Sequence, residues 1–301
     1  MFKYSFVAYR KYAYLFSLLI IAVGIASLLT QGLNLGIDFT GGTRLHLNIG
    51  QEFEVAEVRE ILAGFGLEGS QVQKVGGALD GEGREVIIKS PLIPEAERNE
   101  LIAAFQSRWS GITERDVLSI ENVGPTIGAE LRRQAFWALL VAVTGMIIFI
   151  TIRFEFKFAI AAIVALIHDA LVVLTVFSLL QIEVNSPFVA AILTIIGYSI
   201  NDTIVLFDRV RENLKGRKKG DFAGIIDRSI NQTLLRSINT SGTTLLVLTS
   251  LFLLAGAPLR PFILALLVGV VIGTYSSIFV ASQVWYSWRV FQESRRSTQT
   301  A

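Results

Sequence analysis

The chain contains no cysteine among its 301 residues, and it contains only two histidines, His46 and His168. Without cysteine, the protein can form no disulfide, no cysteine-ligated iron–sulfur cluster and no thiolate zinc site. The two histidines lie far apart in the sequence, so a dedicated zinc site is not expected either. We therefore expect a protein with no metal, no cofactor and no redox chemistry.

Charged residues are also scarce. They make up 17% of the chain, whereas apolar residues make up 52% and the mean hydropathy is +0.56. An ordinary soluble domain has a similar apolar share but about 25% charged residues. The charges are clustered and leave long stretches nearly free of charge, which indicates several membrane spans. The sequence predicts a polytopic α-helical membrane protein.

Six stretches have the length and hydropathy of membrane-spanning helices. They are Tyr14–Leu33, Gln134–Ile152, Phe158–Leu180, Pro187–Phe207, Ser237–Ala255 and Phe262–Tyr286. Two connections are long, a polar block at 34–131 and a basic connection at 208–236, and the prolines lie outside the interiors of the spans. We expect four regions: 1–33 with the first span, an external domain at 34–131, the remaining spans at 132–286, and a tail at 287–301.

Basic residues predict the orientation of these spans, because short loops rich in lysine and arginine stay in the cytoplasm. With the N-terminus inside, the inner segments hold Lys3, Arg10, Lys11, Arg153, Lys157, Arg209, Arg211, Lys215, Arg217, Lys218, Lys219, Arg228, Arg236, Arg289, Arg295 and Arg296. The outer turns hold only Arg260. Both termini are therefore expected in the cytoplasm. The stretch KGRKKG at 215–220 reflects this topology better than it indicates nucleic-acid binding, which we do not expect.

The polar block at 34–131 has the patterns of a small α+β domain. Strands are predicted at 43–49, 71–75, 84–89 and 116–123, helices at 54–65 and 94–109, and a turn at GGALDGEG, 76–83. The order βαββαβ is that of a ferredoxin-like split fold. Its residues do not supply a nucleophile, a base and an orienting group, so we expect a handle or docking surface rather than a catalyst.

Asp202 lies inside the otherwise apolar fourth span, where an ionised carboxylate is unfavourable by several kcal/mol. Helical spacing places polar residues on one face of each of two spans: Thr194, Tyr198, Asn201 and Asp202 on the fourth, and Arg236, Asn239, Thr240 and Thr243 on the fifth. The two spans form a hairpin, so the long side chain of Arg236 can reach Asp202. Such a pair can load and release a proton as its separation changes. The alternative is a static ion pair that specifies helix packing.

His168 and Asp169 form a second polar site, in the middle of the third span. Adjacent residues of a helix point about 100° apart, so the two side chains need not act together. A proton relay and structural hydrogen bonding both remain open for this pair.

Five motifs, taken together, resemble the SecF family, the smaller component of the bacterial SecDF protein-export complex in the resistance-nodulation-division superfamily. They are GIDFTGG at 36–42, VGPTIG at 123–128, ALIHD at 165–169, GYSINDTIVLFDRVREN at 197–213 and NQTLLRSINTS at 231–241. The first motif, directly after the first span, contains Gly36, Asp38, Gly41 and Gly42. The motifs occur in order over nearly the whole chain.

The resemblance implies a subunit of the bacterial inner membrane that pairs with SecD beside SecYEG, with YajC and YidC as further candidate partners. It implies use of the proton motive force to complete the export of preproteins after SecA has driven the early stage. It assigns the proton coupling to Asp202 and Arg236, and we expect Asn201 and Asn239 beside them to contribute. It implies a translocase component rather than an enzyme.

Two other classes of function are less consistent with the sequence. A drug or lipid exporter of the same superfamily would need a much larger external region with a substrate pocket. A membrane enzyme would need a cluster of catalytic residues, which the sequence does not offer.

Overall fold

The computed structural model of the protein describes residues 4–75, 83–153, 155–215 and 221–299. Apart from residues 83 and 215, the predicted turn at 76–83 and the basic stretch at 215–220 lie outside these ranges. Within them, six helices are long and apolar enough to cross a membrane. The chain is therefore a multi-pass membrane protein.

In chain order, the elements are α1 (Arg10–Thr30), α2 (Ile37–Thr40), β1 (Gly42–Asn48), α3 (Val55–Ala63), β2 (Gln71–Val75), β3 (Glu85–Ser90), α4 (Glu95–Arg108), β4 (Val117–Val123), α5 (Pro125–Arg153), α6 (Phe156–Leu179), α7 (Ser186–Lys215), α8 (Phe222–Leu254), α9 (Arg260–Ser276) and α10 (Ser282–Gln299). A π-helical segment, Ser277–Ala281, joins α9 to α10 into one long helix. The candidate spans are α1, α5, α6, α7, α8 and this long helix.

Several helices extend beyond the predicted spans. Helix α5 begins at Pro125 rather than Gln134, and α7 continues to Lys215. Helix α8 begins at Phe222, with Asp221 accepting a capping hydrogen bond from the Gly224 backbone. The hydropathy pattern marks only the apolar part of each helix, whereas polar helical turns can continue past the hydrocarbon.

The membrane helices form a central group and a peripheral group. In the most apolar window of each span, half or more of the residues are buried in α6, in α7 and in the long helix α9–α10, but only 22% in α1, 11% in α8 and 6% in α5. Aromatic side chains fill the inner core, where Phe158 stacks on Trp285 and contacts Phe207. The outer faces of α5 and α8 are therefore left for lipid or for another protein.

The segment 42–123 forms a four-stranded antiparallel sheet with the strand order β2-β3-β1-β4. The two central strands, β1 and β3, contribute Leu45, Leu47, Val86 and Ile88 to a cluster with residues of α3 and α4. Each predicted strand and helix of this domain is present, with ends that differ by about two residues or fewer. The alternation of apolar and polar residues in β1 therefore separates a helix-covered face from an opposite face.

That opposite face of the sheet meets the loop between α6 and α7. Glu183 in this loop forms ion pairs with Lys89 of β3 at 2.6 Å and with Arg44 of β1 at 3.7 Å. The three side chains are 10–13% exposed. Arg44 also pairs with Glu121 of β4. This mostly buried charge cluster attaches the domain to the membrane helices.

We expect Glu183→Gln to loosen this attachment, because Lys89 and Arg44 lose the carboxylate that they share. Loss of a charge-assisted contact of this kind costs about 1–3 kcal/mol. The midpoint of thermal unfolding should fall, and backbone hydrogen exchange should increase in β1 and β3. Glu95→Gln is the matched control, since its ion pair with Arg98 spans 3.7 Å and its side chain is 82% exposed. Equal midpoints for both variants would contradict the attachment.

Candidate functional site

Asp202 is buried within α7, and its carboxylate is only half satisfied. The residue is 8% exposed, and its Oδ1 accepts a hydrogen bond of 2.9 Å from the hydroxyl of Ser237 on α8. The other oxygen, Oδ2, is buried and has no hydrogen-bond partner among the described residues. An acid in this position retains the capacity to bind a proton or a further donor.

Arg236 does not form the predicted ion pair with Asp202 in this structure. The guanidinium belongs to an exposed residue and acts on the carboxylate only through its charge, while the next residue along α8, Ser237, makes the contact. Adjacent helix residues diverge by about 100°, so Ser237 points to α7 while Arg236 is exposed at the surface. Asn201 and Asn239 are exposed as well. The polar residues predicted to meet each other are therefore divided between the bundle interior and its outer surface.

His168 and Asp169 do meet, although they are adjacent on α6. The Nδ1 atom of His168 lies 3.0 Å from Oδ1 of Asp169, and both side chains are buried. The hydroxyls of Ser199 on α7 and Ser276 on α9 donate to Oδ2 of Asp169 at 2.5 and 2.7 Å. One carboxylate thus holds together three helices. Neither serine was predicted to belong to this site, because no period in the sequence relates them to Asp169.

The π-helical segment after α9 brings two consecutive serines onto the same core. Ser276 contacts Asp169, and Ser277 lies 2.8 Å from Thr203 on α7. A π turn takes one more residue than an α turn and often occurs at functional sites. A run of small polar residues in an apolar span, here Ser276, Ser277, Ser282 and Gln283, is the signal in the sequence that could have revealed this surface.

The motif after α1 lies where the domain, α5 and α7 converge. The Asp38 carboxylate accepts a hydrogen bond of 2.8 Å from the backbone N–H of Ser186, the first residue of α7. A carboxylate at this position stabilises the start of a helix. Gly36 donates its N–H to the Val184 carbonyl at 2.8 Å, beside the Glu183 ion pairs. The motif therefore holds the N-terminal end of α7.

Gly41 and Gly42 make the turn from α2 into β1. Their φ angles are +76° and +133°, which side-chain-bearing residues rarely adopt. A Cβ atom on Gly42 would lie 2.4 Å from the Ser90 carbonyl oxygen, and one on Gly41 would lie 3.3 Å from Pro125 at the start of α5. Both positions require glycine for backbone conformation and for close approach.

The sequence was compared with known protein families. Residues 107–290 match the family described as protein export membrane protein SecD/SecF, C-terminal, and residues 26–47 match the SecD/SecF GG motif. The chain belongs to the SecD/SecF family. The GG match includes Gly41 and Gly42, and the larger match includes the Asp169 and Asp202 sites.

Individual relatives agree with the family match. The chain is 43% identical to the protein translocase subunit SecF of Desulfurispirillum indicum, over 94% of this chain and 91% of the relative. It is 42% identical to SecF of Vibrio alginolyticus, over 92% and 87%. It is 39% identical to the protein translocase subunit SecDF of Bacillus subtilis, over 99% of this chain but only 40% of the relative. SecF-type relatives thus match in length, whereas SecDF-type relatives are much longer.

A solved structure shares the fold. The crystal structure of SecDF from a Thermus species superposes with a TM-score of 0.86 at 39% sequence identity, over 95% of this chain and 39% of that chain. The six spans and the sheet of this SecD/SecF family member therefore correspond to one part of a longer SecDF chain.

We expect Gly42→Ala to destabilise the protein strongly, because the new Cβ atom would collide with the Ser90 carbonyl in addition to straining φ. Gly50→Ala is the control: Gly50 has a φ of +76°, but no atom lies within 4 Å of the position that a Cβ atom would take there. Its cost is the strain alone, about 1–2 kcal/mol. Thermal unfolding should show a clearly larger loss for Gly42→Ala. Similar losses would mean that the close approach to Ser90 is relieved by a small shift.

Proposed function

We propose that this chain is a subunit of the bacterial Sec protein translocase that, with a SecD-type partner, uses the proton motive force to promote preprotein export. The single observation that carries the proposal is the buried carboxylate of Asp202, with one oxygen bonded to Ser237 and the other without a partner among the described residues. Intramembrane acids of this kind commonly mark ion or proton pathways.

The proton would bind and leave Asp202 as its partner on α8 changes. With Ser237 as its partner, the buried carboxyl group has no ion pair among the described residues and can hold a proton on Oδ2. Arg236 precedes Ser237 on the same helix, so a rotation of α8 would exchange the hydroxyl for the guanidinium. The guanidinium favours the ionised form and hence release of the proton. Asn201 and Asn239, exposed beside these residues, are proposed to line the path.

The polar stripe on α8 supports a membrane partner. It consists of Arg236, Asn239, Thr240 and Thr243, which are all exposed. Polar residues of membrane helices almost always face protein or a water-filled cavity rather than lipid. Helix α5, which packs against α6 and α7, also buries only Gly128 and Ile150. A second helical bundle, of the SecD type, would cover these surfaces, and relatives in which SecD and SecF are named together as SecDF support this pairing.

The proposed division of the chain places the domain at 34–131 outside the membrane as a ferredoxin-like docking or handle domain, between 1–33 and the spans of 132–286. Its βαββαβ order and its strand order support this assignment. Both termini, including the tail at 287–301, would lie in the cytoplasm, and the protein would reside in the inner membrane. SecYEG is the proposed channel partner, with YajC and YidC as further candidates, and the chain itself would act as a transport component rather than as an enzyme.

Asp202→Asn should leave the protein folded but remove gradient-dependent stimulation of export, because asparagine retains the shape and cannot titrate. The available energy is about 2.3 kcal/mol per charge for each 100 mV of membrane potential. The measurement is preprotein translocation into membrane vesicles with and without an imposed proton gradient, at equal abundance of each variant. Stimulation should fall to the level of vesicles that lack the chain.

Two further variants test the proposed partner of Asp202 and provide a control. Arg236→Ala should be equally inactive, whereas Asp208→Asn should behave like the parent. Asp208 is an acid on the same helix that lies 3.6 Å from Arg153 and is 38% exposed. If Asp202→Asn retained full stimulation, the carboxylate would have only a packing role.

The orientation can be tested by single-cysteine labelling, because the chain has no cysteine of its own. Glu95→Cys in the external domain and Lys215→Cys at the end of α7 introduce thiols at exposed positions. A membrane-impermeant reagent applied to intact cells should label the first and spare the second. The opposite pattern would reverse the proposed topology.

A further inference from the structure

A hydrogen-bond network of four polar side chains, Asp169, His168, Ser17 and Tyr275, extends from the core to the side of the bundle where α1 begins. Asp169 contacts Nδ1 of His168 at 3.0 Å, and Nε2 of His168 lies 3.1 Å from the hydroxyl of Ser17 on α1. The Ser17 hydroxyl lies 3.2 Å from that of Tyr275 on α9, which donates to the Ala13 carbonyl at 3.0 Å. Tyr275 borders a groove of about 550 Å³ that is also lined by Tyr12, Ala13 and Phe16 of α1. The Asp169 end of this network is therefore buried, and the Tyr275 end lies near the surface.

When the Tyr275 hydroxyl donates to the Ala13 carbonyl, the directions of the other hydrogen bonds in this network follow. Since a carbonyl can only accept, the proton of Tyr275 points to Ala13, and the Ser17 hydroxyl must then donate to the Tyr275 oxygen. Nε2 of His168 must in turn donate its proton to Ser17. Two bare acceptors would repel each other at 3.0 Å, so a proton must also lie between Nδ1 of His168 and the Asp169 carboxylate.

The same atoms permit one other arrangement. If the Tyr275 hydroxyl turns to Ser17, then Ser17 donates to Nε2 of His168, and Nδ1–H donates to the ionised Asp169. This arrangement contains one proton fewer than the first. A proton from water that arrives at the Tyr275 oxygen converts the second arrangement into the first, because each hydroxyl passes its own proton to the next group. No bond between heavy atoms changes.

We propose that His168 and Asp169 form a second proton-loading site, separate from Asp202, and that Ser17 and Tyr275 are its relay hydroxyls. The proposal deepens the proposed function and rests on it for its role in export. Ser199 and Ser276 hold Oδ2 of Asp169 in both arrangements, so the carboxylate stays in place while its proton comes and goes.

Tyr275 is the titratable group that faces this site from the helices packed around it. Several other ionisable side chains of the surrounding helices make separate contacts. They are Tyr14 with Ser287, Tyr198 with Ser241 and Thr244, Asp202 with Ser237, Lys157 with Gln292, Arg153 with Asp208, and Arg10 over the ring of Tyr286. None of these contacts involves Asp169, His168, Ser17 or Tyr275.

The protonation of His168 can be observed by NMR of isotopically labelled histidine in the chain reconstituted in membranes with its partner. The difference from a His168→Gln sample isolates the signals of His168. As the pH is raised, we expect His168 to change from a form protonated at Nε2 to a form protonated at Nδ1 alone. A single Nδ1–H form that does not change with pH would overturn the proposal and leave a static pair of hydrogen bonds.

Variants of the relay hydroxyls provide the second part of the test. Tyr275→Phe retains the ring contacts with Phe16 and Phe279 but frees the Ser17 hydroxyl to donate to His168. The Nδ1–H form should then persist at every pH, and Ser17→Ala should also abolish the response of the parent. Ser27→Ala is the control, because it removes another buried hydroxyl contact between α1 and α6, the 2.7 Å bond to Ser178. A parent-like response in both relay variants would exclude the relay.

An Asp202→Asn sample separates this inference from the proposed function. His168 should respond to pH in this variant as it does in the parent, even though gradient-dependent export is lost. Loss of the His168 response in Asp202→Asn would show that the two acids form one site and would overturn the proposal of a second one.

Discussion

The carboxylate of Asp169 is the contact on which the packing of the membrane helices depends. In hydrocarbon, a polar group without a partner is costly, so donors around a buried acid stabilise the fold. Asp169 has His168 on its own helix, Ser199 on α7 and Ser276 on α9. These donors are short side chains, so they require the three helices to approach each other closely.

Small residues make that approach feasible. A Cβ atom on Gly273 of α9 would lie 3.0 Å from Cβ of Ser199, and one on Gly269 would lie 2.2 Å from the side chain of Ile195. Helices in membranes commonly associate where glycine lets their backbones approach closely, because the hydrophobic effect does not favour helix association within lipid. The position of the acid and the positions of these glycines are therefore two parts of one constraint. Substitution of either glycine by a larger residue would separate the donors from the carboxylate.

The domain that contains the sheet could be predicted from the sequence almost element by element, because its strands and helices each have one apolar face with a clear period. Leu45 and Leu47 alternate with Arg44 and His46, so the covered face of β1 follows from the sequence. The number of membrane helices also followed, since hydropathy depends on composition alone. What hydropathy does not contain is the rotation of each helix about its axis.

Because hydropathy does not give the rotation of each helix about its axis, the predicted and observed contacts differ at the candidate site. Asp202 was expected to meet Arg236, yet Ser237 faces it, because one residue along a helix changes the direction by about 100°. For His168 and Asp169, helix geometry left open whether the two side chains act together, and in the structure they lie within hydrogen-bonding distance. The π-helical segment further changes the direction in which the following side chains point around the helix axis, and no periodic pattern predicts this change. Contacts between helices depend on these directions, whereas the presence of each helix does not.

Helix α7 is a candidate membrane span, and it also connects the contacts at its N-terminal end to the buried Asp202. Its N-terminal end is held by the Asp38 carboxylate and adjoins the charge cluster of Glu183, and Asp202 lies sixteen residues further along the same continuous helix. At 1.5 Å per residue, the distance from Ser186 to Asp202 is about 24 Å. A tilt of about 5° at the N-terminal end would displace Asp202 by about 2 Å, enough to break a hydrogen bond. Force applied to the domain that contains the sheet and the hydrogen bonding of the buried acid are thereby mechanically connected through a single rigid element.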